Sequence, residues 1–86
     1  MKFAALAKLE IELDQAEGGG DRAKAYLAVL DMLSKMGKHS EVLRRGEEFL
    51  TIKAMVSKSP AKLLMAGALE NLGKVDDAIA QYEQLA

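Results

Sequence analysis

The sequence predicts an all-α chain of five short helices in one domain, and three observations carry that prediction. Strand formers are scarce: the 86 residues hold two Phe, two Tyr, no Trp, four Val and three Ile, whereas Leu, Ala, Glu, Lys and Met, the strong helix formers, dominate. Four clusters of breakers divide the chain: Gly18-Gly19-Gly20-Asp21, Gly37-Lys38-His39-Ser40, Ser57-Lys58-Ser59-Pro60 and Gly73-Lys74-Val75-Asp76. Between them apolar residues recur at spacings of three and four. With 50% hydrophobic and 29% charged residues the balance is globular, and a chain this short has a modest core.

The expected helices run over about 2–17, 22–36, 40–56, 60–72 and 75–86. Connections of about four residues imply antiparallel neighbours. In the first helix Phe3, Leu6, Leu9 and Leu13 form an inner stripe. Asp21 is placed to cap the second helix, where Tyr26, Leu30 and Leu33, widened by Leu27 and Val29, make the apolar face. Ser40 is placed to cap the third, with Glu41 favoured in its first turn by the helix dipole. Ser59 followed by Pro60 reads as a cap and then proline at the first helical position. The fourth helix carries the rows Leu64, Ala68, Leu72 and Met65, Leu69. The fifth opens on Asp76 and Asp77 and continues the pattern with Val75, Ile79 and Tyr82. Gly37 and Gly73 sit just past helix ends, where a left-handed residue is wanted. Gly46 and Gly67 lie inside helices at a cost of about 1 kcal/mol each relative to Ala, and a closely packed neighbouring helix is the expected reason at both. The methionines at 32, 36, 55 and 65 are expected to fill the core, and His39 to pack half-buried.

Several function classes drop out. The chain has no Cys and a single His, so thiolate chemistry and a His-rich metal site within one chain are excluded. A net charge of −1 argues against bulk nucleic-acid affinity. Arg44, Arg45, Lys53, Lys58 and Lys62 have no series of interleaved aromatics for base stacking. No apolar run approaches the roughly 18 residues of a membrane span. Met1 to Ala7 resembles the start of a signal peptide, but Lys8, Glu10, Glu12 and Asp14 interrupt it, so a cytoplasmic location is expected. Gly37-Lys38-His39-Ser40 lacks the upstream glycine and the Lys-Ser/Thr pair of a phosphate loop. The pairs Glu47-Glu48 and Asp76-Asp77 diverge on a helix and make no acid–base dyad. No catalytic residue, cofactor or metal is expected, and the chain reads as non-enzymatic.

A repeat emerges when the breaks are compared. Leu33-Ser34-Lys35-Met36-Gly37-Lys38 aligns with Leu69-Glu70-Asn71-Leu72-Gly73-Lys74, 36 residues on, and Glu41-Val42-Leu43 aligns with Asp77-Ala78-Ile79. Over residues 59–86 the chain resembles the tetratricopeptide repeat family: Met65, Ala66, Leu69, Gly73, Ala78, Ile79 and Tyr82 fill the places of that pattern. Residues 23–56 match it less well. Val29, Leu33, Gly37 and Leu43 fit, whereas Leu30, Val42 and Gly46 depart from the small, small and aromatic residues of the family. The period also exceeds the usual repeat of about 34 residues by two. The resemblance implies a short helix-turn-helix solenoid of five antiparallel helices. Two other arrangements stay open: helix 1 paired with helix 2 in a different phase, or an irregular five-helix bundle.

The resemblance also implies a protein-interaction module. Its groove would be lined by Lys24, Leu27, Ala28 and Asp31 from one unit and Leu63, Leu64, Gly67, Glu70 and Asn71 from the other. The positions that grip a terminal carboxylate in the co-chaperone subfamily carry Leu27, Asp31, Leu64 and Gly67 here. A chaperone-tail receptor is therefore rejected, and an apolar or amphipathic segment of a protein partner is expected instead. The alternative is that the chain's own first helix covers these leucines. Such units bury their faces against neighbours, and about three are normally needed for independent stability. The last helix has little downstream cover for Ile79, Tyr82 and Leu85. Self-assembly through these end helices, a homo-oligomer, is thus a second expectation, as is a partner or a longer chain over that face. Residues 1–21 and 63–86 each carry net −3, and residues 35–62 carry net +4, which would steer an acidic partner or another copy.

Overall fold

In the computed structural model, which describes residues 2–53 and 55–85, the described residues form five α-helices and no strand. They are α1 (Lys2–Gln15), α2 (Gly19–Lys35), α3 (His39–Leu50), α4 (Ser59–Asn71) and α5 (Val75–Leu85). None is long and apolar enough to cross a membrane.

The two glycine turns are alike. Gly37 and Gly73 adopt φ of 74° and 81°, which costs glycine little and any other residue more. Gly37 N donates to Ser34 O and Lys38 N to Leu33 O; Gly73 N donates to Glu70 O and Lys74 N to Leu69 O. Both are the double-bonded glycine cap of a helix C-terminus, at the same 36-residue offset.

Helix starts fall earlier than the expected caps. α2 begins at Gly19 and α3 at His39, with Gly18 and Lys38 as the residues before them and no side-chain cap on either. Asp21 and Ser40 therefore lie inside first turns. The Gly18, Lys38 and Lys58 carbonyls accept from Arg22, Val42 and Lys62 N–H, so the helices are already closed three, two and one residues ahead of the expected caps. Ser59 is likewise the first helical residue of α4, and its own N–H donates to the Ser57 hydroxyl oxygen at 3.3 Å.

The largest departure is at α3, which ends at Leu50 instead of residue 56, leaving an eight-residue connection where about four were expected. Ala54 lies outside the described residues. A continuing helix would give the Phe49 carbonyl to Lys53 N–H. Instead the Lys58 ammonium donates to Phe49 O at 3.3 Å and to Ile52 O at 2.8 Å, and sits 4.6 Å from the centre of the Phe49 ring. A positive charge at a helix C-terminus is favourable with the dipole.

The core is Leu13, Ala23, Tyr26, Val29, Leu30, Leu33, Val42, Phe49, Ala61, Met65 and Ala68. α2 is its hub and touches α1, α3 and α4. Tyr26 meets Phe49 edge-on at 6.4 Å between ring centres. Phe3 is not part of the inner stripe of α1. It is 69% exposed, with the Lys38 ammonium 5.5 Å from its ring, because Leu6, Leu9 and Leu13 already turn the packed face toward α2. Arg45 of α3 reaches Glu10 of α1, its own-helix neighbour Glu48 at 3.0 Å, and so ties α1 to the third helix.

The two helix-interior glycines have different surroundings. A Cβ on Gly46 would overlap the Met65 side chain, so close approach explains this glycine. At Gly67 nothing lies within 4 Å, and the expected close approach is absent. Met65 is buried and Met32 and Met36 half-buried, but Met55 is fully exposed in the connection and fills no core space. His39 is half-buried.

Candidate interaction surface

α5 packs on α4 alone, and Ala78 is its single buried residue. Gln81 and Leu85, three and seven residues on, are half-buried on the same side. Val75, Ile79 and Tyr82 form a second row, rotated roughly a quarter turn away. They are 53%, 48% and 37% exposed. Leu72, in the preceding turn, is exposed as well. Between the start of α4 and the end of α5 a shallow groove is lined by Ser57, Ser59, Pro60, Leu63 and Leu85.

The contrast with α3 is direct. Val42, Gly46 and Phe49 sit on one face of α3, all buried, and the Met65 side chain of α4 occupies the space beside Gly46. Thirty-six residues on, the same positions of α5 carry Ala78, Tyr82 and Leu85. Leu43 is half-buried, and its counterpart Ile79 is exposed. The α3 face is covered by a following helix. On α5, Ala78 and Leu85 turn toward α4, and the row Val75, Ile79, Tyr82 has no covering helix among the described residues.

The expected groove residues are placed unevenly. Leu27 and Leu64 are half-buried against the core, whereas Leu63 is 55% exposed. Lys24 lines a depression between α1 and α2 with Glu12, Gln15 and Asp21. Asp31 pairs with Lys35 at 3.0 Å on the α2 surface. Asn71 donates from Nδ2 to Gly67 O at 2.8 Å. Of this set, the structure places Leu63 in the α4–α5 groove, and Glu70 beside Tyr82. Of the end-face set, Ile79 and Tyr82 share the exposed row and Leu85 lines the groove. Val75, Leu72 and Pro60 belong to this surface and were absent from the expected site, although the spacing 75, 79, 82 already placed Val75 in the row.

The electrostatics of the surface are acidic. A hydrogen bond to the Glu70 carboxylate, then desolvation, then that carboxylate's charge raise the Tyr82 phenol above its ordinary range. Asp76 and Glu83, seven residues apart, line the other edge of the row. The basic middle of the chain is largely engaged internally. Arg44 pairs with Glu41 at 2.6 Å and Glu48 at 3.7 Å, Arg45 with Glu10 and Glu48, and Lys58 with backbone carbonyls. Among the described residues no cluster of three or more His, Cys, Asp or Glu could hold a metal ion.

Comparison with protein-family models, with curated proteins and with solved structures finds no match.

Proposed function

We propose that this chain is a non-enzymatic protein-interaction module of tetratricopeptide-like build, with α2–α3 and α4–α5 as its two helical hairpins and α1 leading into them. Three features support the build: the repeated glycine caps, the 36-residue offset, and the packing of α4 on both α2 and α3. The bound segment is apolar or amphipathic and lies against the α4–α5 surface around Leu63, Ile79, Tyr82 and Leu85. One observation carries this reading above all. The row Val75, Ile79, Tyr82 stands open on a helix that has one neighbour, at the positions where α3 is covered. Exposed apolar rows rimmed by polar residues mark interaction sites, and an amphipathic helix in such a groove is a recurring mode of recognition.

The test is selection of helical peptides from an unbiased library on the 86-residue chain, with counter-selection on Ile79→Arg. Enriched sequences that bind the parent and lose the variant support the reading. Failure to enrich any peptide overturns it.

Self-assembly is a second reading, favoured by Phe3 and Ile11, which leave α1 with an exposed apolar face of its own. Light scattering after size exclusion decides it. An oligomer that Tyr82→Arg or Leu85→Arg dissociates supports self-assembly, and a mass that stays monomeric across concentration rejects it.

A further inference from the structure

The internal packing of α4 on α3 shows what kind of helix the open α5 face is shaped to take. On α3 the small Gly46 leaves a hollow between Val42 and Phe49, and Met65 fills it. On α5 Tyr82 stands at the position of that hollow, while Ala78 and Leu85 turn toward α4 and the open row is Val75, Ile79 and Tyr82. A helix laid on this row meets the Tyr82 ring and must bring a small residue, not a methionine, against it.

Charge defines the partner further. Glu70 of α4 stands against Tyr82 on one side of the row, and Asp76 and Glu83 follow its other side. Residues 63–86 contain four acidic residues and one basic residue, Lys74. Side chains flanking the apolar stripe of a docked helix thus meet carboxylates along both borders, and like charges there cost affinity. A second copy offering its α1 is disfavoured by the same field. The apolar face of α1 runs through Phe3 and Ile11 alongside Glu10, Glu12 and Asp14, and residues 1–21 also carry net −3. Anionic lipid and nucleic acid are disfavoured likewise.

Resting on the α4–α5 face as the interaction surface, we propose that its occupant is a cationic amphipathic helix of a partner protein. Lys or Arg borders both sides of its apolar stripe, an Ala or Gly faces Tyr82, and it runs antiparallel to α5.

The experiment measures binding of the 86-residue chain to three labelled helical peptides of about 18 residues, five turns, by fluorescence anisotropy. The first has a Leu/Ala stripe bordered by Lys, the second replaces each Lys with Glu, and the third replaces the central Ala with Met. The Lys peptide is expected to bind at least about tenfold tighter than the Glu peptide, to weaken with added salt, and to lose affinity on the Ala-to-Met change. Asp76→Lys with Glu83→Lys should reverse the preference, and Ile79→Arg should remove binding of both charge forms. All these positions are exposed, and circular dichroism checks that the variants keep their helicity. Equal binding of the two charge forms, or preference of the parent for the Glu peptide, overturns the inference; if Ile79→Arg still removes that binding, the interaction surface itself stands. No binding of any peptide also overturns it, while the unbiased selection judges the surface separately. A dimer that Ile79→Arg dissociates overturns it in favour of a second copy.

Discussion

Met65 of α4 lies where Gly46 of α3 has no side chain. A methyl group at Gly46 would come 2.6 Å from Met65 Cγ and overlap its sulfur, in a site where Met65 is 2% exposed. This contact locks α3 to α4. Gly67, on α4, has the same residue type in the same secondary structure and open space around it. Substitution by Ala should therefore have opposite signs at the two sites. Gly67→Ala gains helix propensity and should stabilise by about 0.5–1 kcal/mol. Gly46→Ala gains the same propensity but overpacks the core at roughly 1–3 kcal/mol, for a net loss of about 1 kcal/mol. Chemical denaturation of both variants reads the difference, and equal signs would show that Met65 can withdraw freely.

α1 is held by two different attachments. Leu6, Leu9 and Leu13 pack toward α2, and Glu10 reaches Arg45 on α3. The Arg45 side chain is 18% exposed and also bonds Glu48, which accepts from the Tyr26 hydroxyl at 3.4 Å. Arg45→Met keeps much of the stem and removes the shared cation, leaving two carboxylates without it. Because both partners remain partly solvated, the expected loss is about 1–2 kcal/mol, below that of a fully buried pair. Glu10→Gln should cost less, since Arg45 keeps Glu48. Amide exchange locates the effect: protection should fall first in α1, and unchanged exchange there would show that the α2 packing alone holds the helix.

These two cases also show what sequence could and could not convey. Gly37 and Gly73 were legible because a left-handed position after a helix nearly selects glycine by itself. Gly46 and Gly67 were indistinguishable, since the reason for one of them lies in a side chain 19 residues away. The end of α3 was missed because Thr51 to Val56 carries no breaker, and the Lys58 ammonium that takes the last carbonyls comes from beyond the turn. The starts of α2, α3 and α4 were misplaced by one to three residues because Asp21, Ser40 and Ser59 favour first turns as well as caps. At the candidate surface, spacing alone put Val75, Ile79 and Tyr82 in one row. Which rows α4 would cover depended on helix packing, so the exposure of Leu63 beside the half-burial of Leu64 needed the structure.

The Tyr82 phenol ties the α4–α5 surface to pH. Its hydrogen bond to Glu70, with lesser help from desolvation and the carboxylate charge, raises it from the ordinary value of 10.0. A raised value means that the folded chain holds this proton more tightly than the unfolded chain. Its stabilising contribution is therefore complete below pH 10 and is lost as pH rises through the folded-state value. Glu41 has the opposite sign. The Arg44 hydrogen bond, then the Arg44 charge, lowers it from 4.5, so its contribution is present above that pH and fades as pH falls. Both groups are at the surface and both contributions are small. Ultraviolet titration of the phenolates checks the first: Tyr82→Phe should remove a late-titrating group, and Glu70→Gln should bring it back toward 10. A Tyr82 transition unmoved by Glu70→Gln would rule out Glu70 as its cause.

Leu63 and Leu64 are adjacent in sequence and differ in consequence. Leu63 borders the α4–α5 groove with more than half its surface exposed, whereas Leu64 packs on the core. Leu63→Asp should leave the helical circular dichroism signal and the denaturation midpoint nearly unchanged, within about 0.5 kcal/mol. Leu64→Asp pushes a carboxylate against apolar neighbours and should destabilise by roughly 2 kcal/mol or more. A peptide that binds the α4–α5 surface should therefore lose affinity for Leu63→Asp in a chain that is still folded. For Leu64→Asp the same loss would accompany unfolding and carry no information about the surface. If Leu63→Asp unfolds the chain as well, Leu63 belongs to the core, and the groove must be redrawn around Ile79 and Tyr82 alone.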